Sequence, residues 1–299
     1  MRKHLLIGLL AITMVALGLT PVAAENYSLK IGGGPTGGTF NTFANGMAIY
    51  LPKVLKNTQA TAVGSGGSVE NVKRVSHNES NIGLCYAVDS ALGYAGKLPQ
   101  DNTAYKDLRA MGYLYGAPAQ LIVKADSKIM SSFDLKGKRV AVGNAGSGAA
   151  ASAFKDGKID AFWVLVGYPN SSVIEASVQV KIRLIDVGVD AEKSGFYDAF
   201  AYSPTVIPAG TYGKGMPECK SFQDSTILSV NKDMPEELVY NIMKALWSDK
   251  GMAAMVAAKK TFKEMNLENG FRGASVPLHP GAVKFWKEQG KEIPAELMP

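Results

Sequence analysis

A chain of 299 residues, 46% of them apolar and 19% charged, belongs among globular proteins, and its length suits two lobes better than one core. Its 32 Lys and Arg exceed its 26 Asp and Glu only slightly and form no basic run, which argues against nucleic-acid binding. Two cysteines and three histidines, with no His-x-x-x-His, no close Cys pair and no acidic cluster, argue against a metal site.

In chain order, Arg2 and Lys3, the apolar run Leu5–Leu19 and the small-residue exit Pro21-Val22-Ala23-Ala24 read as a secretory signal peptide over residues 1–24, cleaved near Ala24. Fifteen apolar residues fall short of the roughly 20 that span a bilayer. The expected mature chain has 275 residues and is periplasmic. An oxidising compartment permits a Cys85–Cys219 bridge, but spacing alone does not pair them.

Tyr27–Ile31 reads as a strand and Thr39–Leu51 as a helix, with Phe40, Phe43, Met47 and Tyr50 at helical spacing. Thr58–Val63 is a strand, and Ser68 opens a helix as its N-cap. Asn81–Tyr86 is a third strand, followed by a short helix Asp89–Tyr94. Leu108–Ala125 is extended and broken by Gly116 and Pro118. Lys138–Val142, Ile182–Val187 and Ser225–Val230 read as strands, and Gly157–Leu165 as a turn followed by another strand. Ser172–Val178, the segment opened by Pro235, Met252–Met265 and Val283–Gln289 read as helices, and His279 as a capping or packing group in a turn.

This alternation predicts an α/β fold of two lobes, each a mostly parallel sheet between helices. The chain crosses at about Tyr115–Gln120 and returns near Ile207–Tyr212, so residues 25–117 and 209–299 form lobe I, residues 118–208 form lobe II, and two crossing segments make a hinge. Three glycine- and serine-rich loops sit between a strand and a helix: Gly32–Thr39, Gly64–Ser68 and Gly143–Gly148. Helix starts carry free N–H groups and partial positive charge, and such loops gather at the carboxyl ends of strands, where α/β sheets bind ligands. The expected partner is a small anionic solute held in an interlobe cleft.

Other chemistries fit less well. Gly32, Gly34 and Gly37 match G-x-G-x-x-G, but no Asp or Glu occurs between Asn26 and Val69 to hold a ribose, and no lysine follows the glycines as in a P-loop. Gly146-Ser147-Gly148 lacks the G-x-S-x-G nucleophile elbow. No catalytic residue and no cofactor is expected. Thr36, Thr39, Ser65, Ser68 and Ser147 offer hydroxyls that serve equally as helix caps or ligand contacts, with backbone from Gly37, Gly38 and Gly148. Asp89 is placed to neutralise an ammonium group or to cap its helix. Phe40, Tyr86, Trp163, Tyr168 and Tyr212 wall the cleft or fill cores.

The segments IGGGPTGGTF, SGGSVENV, KGKRVAVGNAGSG, DGKIDAFWVLVGYPNS, IPAGTYG and VPLHPGAVKFWKEQG run in order along nearly the whole mature chain. Together they resemble the TAXI group of TRAP-transporter solute receptors. The resemblance implies a type II periplasmic binding protein fold and delivery of glutamate, glutamine or a related dicarboxylate such as 2-oxoglutarate to the membrane subunits of an ion-coupled TRAP permease; the receptor is expected to be a monomer. It places Gly37, Gly38, Thr39, Phe40, Ser68, Asp89, Ser147 and Gly148 in the pocket. This sequence departs from the family in having Phe40 where a Tyr is common. It also has only eight residues, Ala149 to Asp156, between Gly148 and Gly157, where relatives place a helix, a strand and part of another helix. Eight residues reach at most about 28 Å extended, so lobe II is expected to lack one βα step. An enzyme on the same fold, or a receptor too shortened to bind, are the alternative readings.

Overall fold

The computed structural model describes residues 26–142, 148–200 and 202–299. Lobe I opens with β1 (Tyr27–Gly32), α1 (Thr39–Val54), β2 (Thr58–Val63), α2 (Ser68–Ser76), β3 (Ile82–Tyr86) and α3 (Ala87–Tyr94). The long strand β4 (Leu108–Lys124) then leads into lobe II. There follow β5 (Val140–Val142), α4 (Gly148–Lys155), β6 (Ala161–Leu165), α5 (Ser171–Gln179), β7 (Ile182–Leu184), α6 (Val187–Ser194), α7 (Phe196–Ala199) and β8 (Ser203–Ile207). Strand β9 (Cys219–Asn231) returns to lobe I, which closes with α8 (Glu236–Leu246), α9 (Asp249–Ala258) and α10 (Pro280–Glu288). No helix among the described residues is long and apolar enough to cross a membrane.

The strands follow the order β2-β1-β3-β9-β4-β6-β5, with β7 also on β4 and β8 also on β9. The β2-β1-β3 half is parallel, so all three carboxyl ends lie on one side; β3, β9 and β4 alternate antiparallel. The long strands β4 and β9 pair from Leu108–Asn231 to Pro118–Gln223 and pass together from one lobe to the other. Their cores show where the lobes change. The large lobe I core includes Ala117 on β4 and Ile227 on β9, whereas Ala119 and Phe222 belong to lobe II. On β4 the change of core thus falls between Ala117 and Ala119. The return lies in β9, between Phe222 and Ile227, later than Ile207–Tyr212: β8 pairs with Cys219–Gln223, and Tyr212 packs inside lobe II.

Period-two alternation builds lobe II. Ala119, Leu121 and Val123 face one cluster with Ile185, Val187 and Phe222; Ile122 faces the other with Phe154, Phe162 and Val173. Several boundaries differ from expectation. Helix α3 begins at Ala87, so Asp89 lies in its first turn rather than at its cap. Gly67, not Ser68, occupies the cap position of α2. The expected strand Ile182–Val187 stops at Leu184, and Val187 opens α6. The expected helix Met252–Met265 breaks at Lys259, whose backbone is extended, and a 3-10 turn Lys260–Glu264 follows. His279 does cap α10, its ring accepting the Gly281 N–H at 3.2 Å. Cys85 and Cys219 are both free and buried, Cys85 in the lobe I core, and burial pushes the Cys85 thiol up to about 12.

Candidate functional site

The parallel β1, β2 and β3 deliver three helix starts to one end of lobe I. Asn71, fully buried on α2, ties them together: its amide donates to the carbonyls of Gly33 at 2.7 Å, Leu84 at 2.8 Å and Gly32 at 3.3 Å. Ser65 donates to the Gly33 carbonyl at 2.8 Å and joins the second loop to the first. In this way Gly38, Thr39, Phe40, Ser65, Ser68, Tyr86 and Asp89 come together, with Thr36 and Gly37 on the exposed rim. The Phe40 and Tyr86 rings meet at 4.9 Å.

The three helix starts are not equivalent. At α2, Glu70 accepts the Gly66 N–H at 2.6 Å and the Ser65 hydroxyl accepts the Gly67 N–H at 3.1 Å. At α3, the carboxylate of Asp224 accepts the N–H groups of Ala87 at 3.1 Å and Val88 at 3.4 Å. At its cap residue Gly67, α2 has no side-chain cap of its own, and neither has α1, at Gly38. Beside that start, Lys259 donates to the Thr39 hydroxyl at 2.6 Å. The break after α9 puts Lys259 there. Phe262, two residues into the 3-10 turn, packs on Phe43 at 4.1 Å and near Tyr115 at 5.9 Å. Burial pulls the Lys259 ammonium below its ordinary range, and it enters no ion pair among the described residues.

Register supplies the floor. Tyr86 on β3 and Tyr115 on β4 both lie opposite Thr226 on β9, so the three share one face, and Asp224 follows on that face one pleat nearer lobe II. The hydroxyls of Tyr115 and Thr226 are fully buried and close no hydrogen bond among the described residues, although Tyr115 faces those of Thr226 and Thr39. Asp224 is 1% exposed. Burial, then repulsion from Asp89, push its carboxyl up to about 7, and burial raises Asp89 too, offset in part by the Ser68 hydroxyl. Ser68 itself accepts the Tyr86 N–H at 2.7 Å.

Lobe II meets this face along the end of β6. The Tyr86 hydroxyl donates to the Leu165 carbonyl at 2.7 Å, and Thr261 donates to the Tyr168 carbonyl at 3.1 Å. Tyr168 thus lies on the seam, beside a cavity of about 310 Å³ bounded also by Thr211, Lys260 and Glu264. Trp163 packs instead on Phe222 at 6.0 Å within a lobe II core. The Tyr212 hydroxyl is spent inside lobe II, donating to Gln120 and accepting the Asn170 N–H at 3.0 Å. Gly148 opens α4, where its nearest side-chain neighbour is Glu175; Ser147 lies outside the described residues. Sequence reasoning missed Lys259, Tyr115, Thr226, Asp224 and Asn71. Lys259 falls inside the expected helix Met252–Met265, with nothing local to mark the break that turns it to the site, and only strand register aligns Tyr115 and Asp224 with Tyr86. As a whole, the site presents one lysine, the uncapped start of α1, free hydroxyls and two carboxyl groups between the lobes, a set suited to holding a small charged molecule.

A model of the NMT1-like family matches residues 31–154 and 149–290. Among solved structures, the periplasmic aliphatic sulphonate binding protein SsuA from Escherichia coli aligns at 13% identity and TM-score 0.45, covering 91% of this chain and 88% of its own. The GluR0 ligand-binding core from Nostoc punctiforme, in complex with L-glutamate, aligns at 13% identity and TM-score 0.46, covering 78% and 98%. A TctC solute binding protein from Polaromonas aligns at 15% identity and TM-score 0.44, covering 80% and 86%.

Proposed function

The chain belongs to the NMT1-like family, and from that premise we propose that it is an extracytoplasmic solute receptor. Its ligand is a small carboxylate of the glutamate, glutamine or 2-oxoglutarate class, bound between the lobes and delivered to a TRAP-type ion-coupled permease. The observation that carries this reading is the uncapped start of α1 with Lys259 beside it, facing the seam where lobe II touches Tyr86. A helix start and an ammonium at one point attract a carboxylate. Burial strengthens that attraction, because the surrounding dielectric is low. The ligand contacts drawn from the sequence fit the reading unequally. Gly38, Thr39, Phe40, Ser68, Tyr86 and Asp89 line the lobe I side and Tyr168 the seam, whereas Trp163 and Tyr212 support lobe II from within. Two lobes joined by paired strands can close by hinge motion about β4 and β9.

The test is titration calorimetry of the purified protein with glutamate, glutamine and 2-oxoglutarate, alongside a native mass spectrum to reveal any co-purified solute. Saturable binding of one of these at micromolar or tighter affinity, with the ligand recovered unchanged, is the expected result. Silence across all three and a wider panel of small anions overturns the reading.

A further inference from the structure

Two features of the cleft go beyond a general attraction for anions, and they have opposite sign. On one side, the first turn of α1 has no side-chain cap, Lys259 reaches Thr39 at 2.6 Å, and the buried Tyr115 hydroxyl points at the same threonine with no partner of its own. These groups are donors with nothing anionic to receive them. On the other side, Asp224 accepts the N–H groups that open α3, and Asp89 lies in the first turn of the same helix, near enough for the two carboxyls to repel. Neither carboxyl has a cationic partner among the ion pairs of the described residues. The two sides share one floor: Tyr115 and Asp224 lie on the same face of the β4–β9 ribbon, Thr226 pairing with Tyr115 and Asp224 with Ala117. Successive residues on one face of a strand are about 7 Å apart, the scale of a small amino acid with its side chain.

Resting on the receptor reading above, we propose that Lys259, with Tyr115 and the first turn of α1, is the carboxylate anchor of this cleft, and that Asp224 with Asp89 receives an ammonium group, so that the ligand is an α-amino acid rather than a dicarboxylate without an amino group. Lys259 and Asp224 are then specificity-determining residues. An ammonium between the two acids relieves their mutual repulsion and supplies the charge that burial now lacks. A second carboxylate at that position meets two acids and is rejected, which is discrimination by repulsion as well as by attraction.

The experiment compares the purified wild-type chain with Lys259→Met, Lys259→Arg, Tyr115→Phe and Asp224→Asn, titrating L-glutamate, L-glutamine and 2-oxoglutarate and recording ligand-free thermal unfolding. In the wild type, an amino acid binds at least tenfold more tightly than 2-oxoglutarate. Lys259→Met weakens every carboxylate at least thirtyfold, Lys259→Arg recovers part of that loss, and Tyr115→Phe weakens binding severalfold. Asp224→Asn narrows the preference for the amino acid over 2-oxoglutarate. Because Lys259 is held partly desolvated without a counter-charge, Lys259→Met also unfolds at the same or a higher temperature than wild type, which separates lost binding from lost folding. If a carboxylate binds and Lys259→Met leaves its affinity intact, or if 2-oxoglutarate equals the amino acids in the wild type, this assignment is overturned while the receptor reading stands. If no carboxylate binds the wild type, both fall.

Discussion

At the scale of single residues, Asp224 carries the clearest consequence. Its carboxyl is held up to about 7 by burial first and by Asp89 second, with the hydroxyls of Tyr86 and Tyr202 as further neighbours and the N–H groups of Ala87 and Val88 pulling the other way. An unfolded chain ionises an aspartate near 4. Between about pH 4 and pH 7 the folded chain therefore holds a proton that the unfolded chain has released, so stability falls as pH rises through that window and levels off above it. Each pH unit of such a window is worth about 1.4 kcal/mol, which bounds the loss at roughly 4 kcal/mol. Asp224→Asn keeps the oxygen that accepts from Ala87 and Val88 but has no proton to lose. Denaturant unfolding across pH 4 to 8 is expected to show the variant gaining on wild type as pH rises to 7, and parallel curves throughout would remove the argument. Lys259 bears the opposite charge in a similar setting, and burial lowers its ammonium rather than raising it.

At the scale of elements, the seam between lobes depends on a residue with no side chain. A Cβ on Gly167, just past β6, would lie 2.7 Å from Cγ2 of Thr261 and 3.2 Å from the Tyr115 ring. Gly167→Ala is expected to cost about 1–3 kcal/mol through overpacking. Pairing it with Thr261→Ala, which removes the obstructing methyl, should return much of that loss in a double-mutant cycle. Additive losses would mean that the lobes do not press together at this point. The same scale explains how Lys259 reaches the site: the break between α9 and the 3-10 turn gives it an extended backbone, and Phe262 locks the turn against Phe43. A continuous helix over Met252–Met265 would have carried the side chain elsewhere.

At the scale of the whole molecule, the two lobes are unequal. Lobe I places three strand–helix steps before the crossing and ends its sheet order in the six-residue β2. Lobe II ends the order in β5, three residues long, with Val142 77% exposed. An edge this short, with little packed over it, opens at low free energy. Native-state hydrogen exchange is expected to show protection in β5 at least about 100-fold weaker than in β1, and a saturating ligand should raise protection along Tyr86 and Leu165 where the lobes meet. Equal protection in the two edges would show that lobe II is as well consolidated as its partner.

Periodicity and punctuation were enough to find most strands and helices and the convergence of the first two glycine loops, because apolar spacing and glycine act locally along the chain. What local pattern left open was which helix start remains free. The first donors of α3 are taken by Asp224, whereas α1 is left uncapped beside a lysine 220 residues away in sequence. That outcome belongs to tertiary structure alone, since it turns on the register of β9 against β3 and β4 and on where α9 breaks: a side chain's partner is set by who is brought within hydrogen-bond reach, and only the folded sheet brings Asp224 to Ala87 and Lys259 to Thr39.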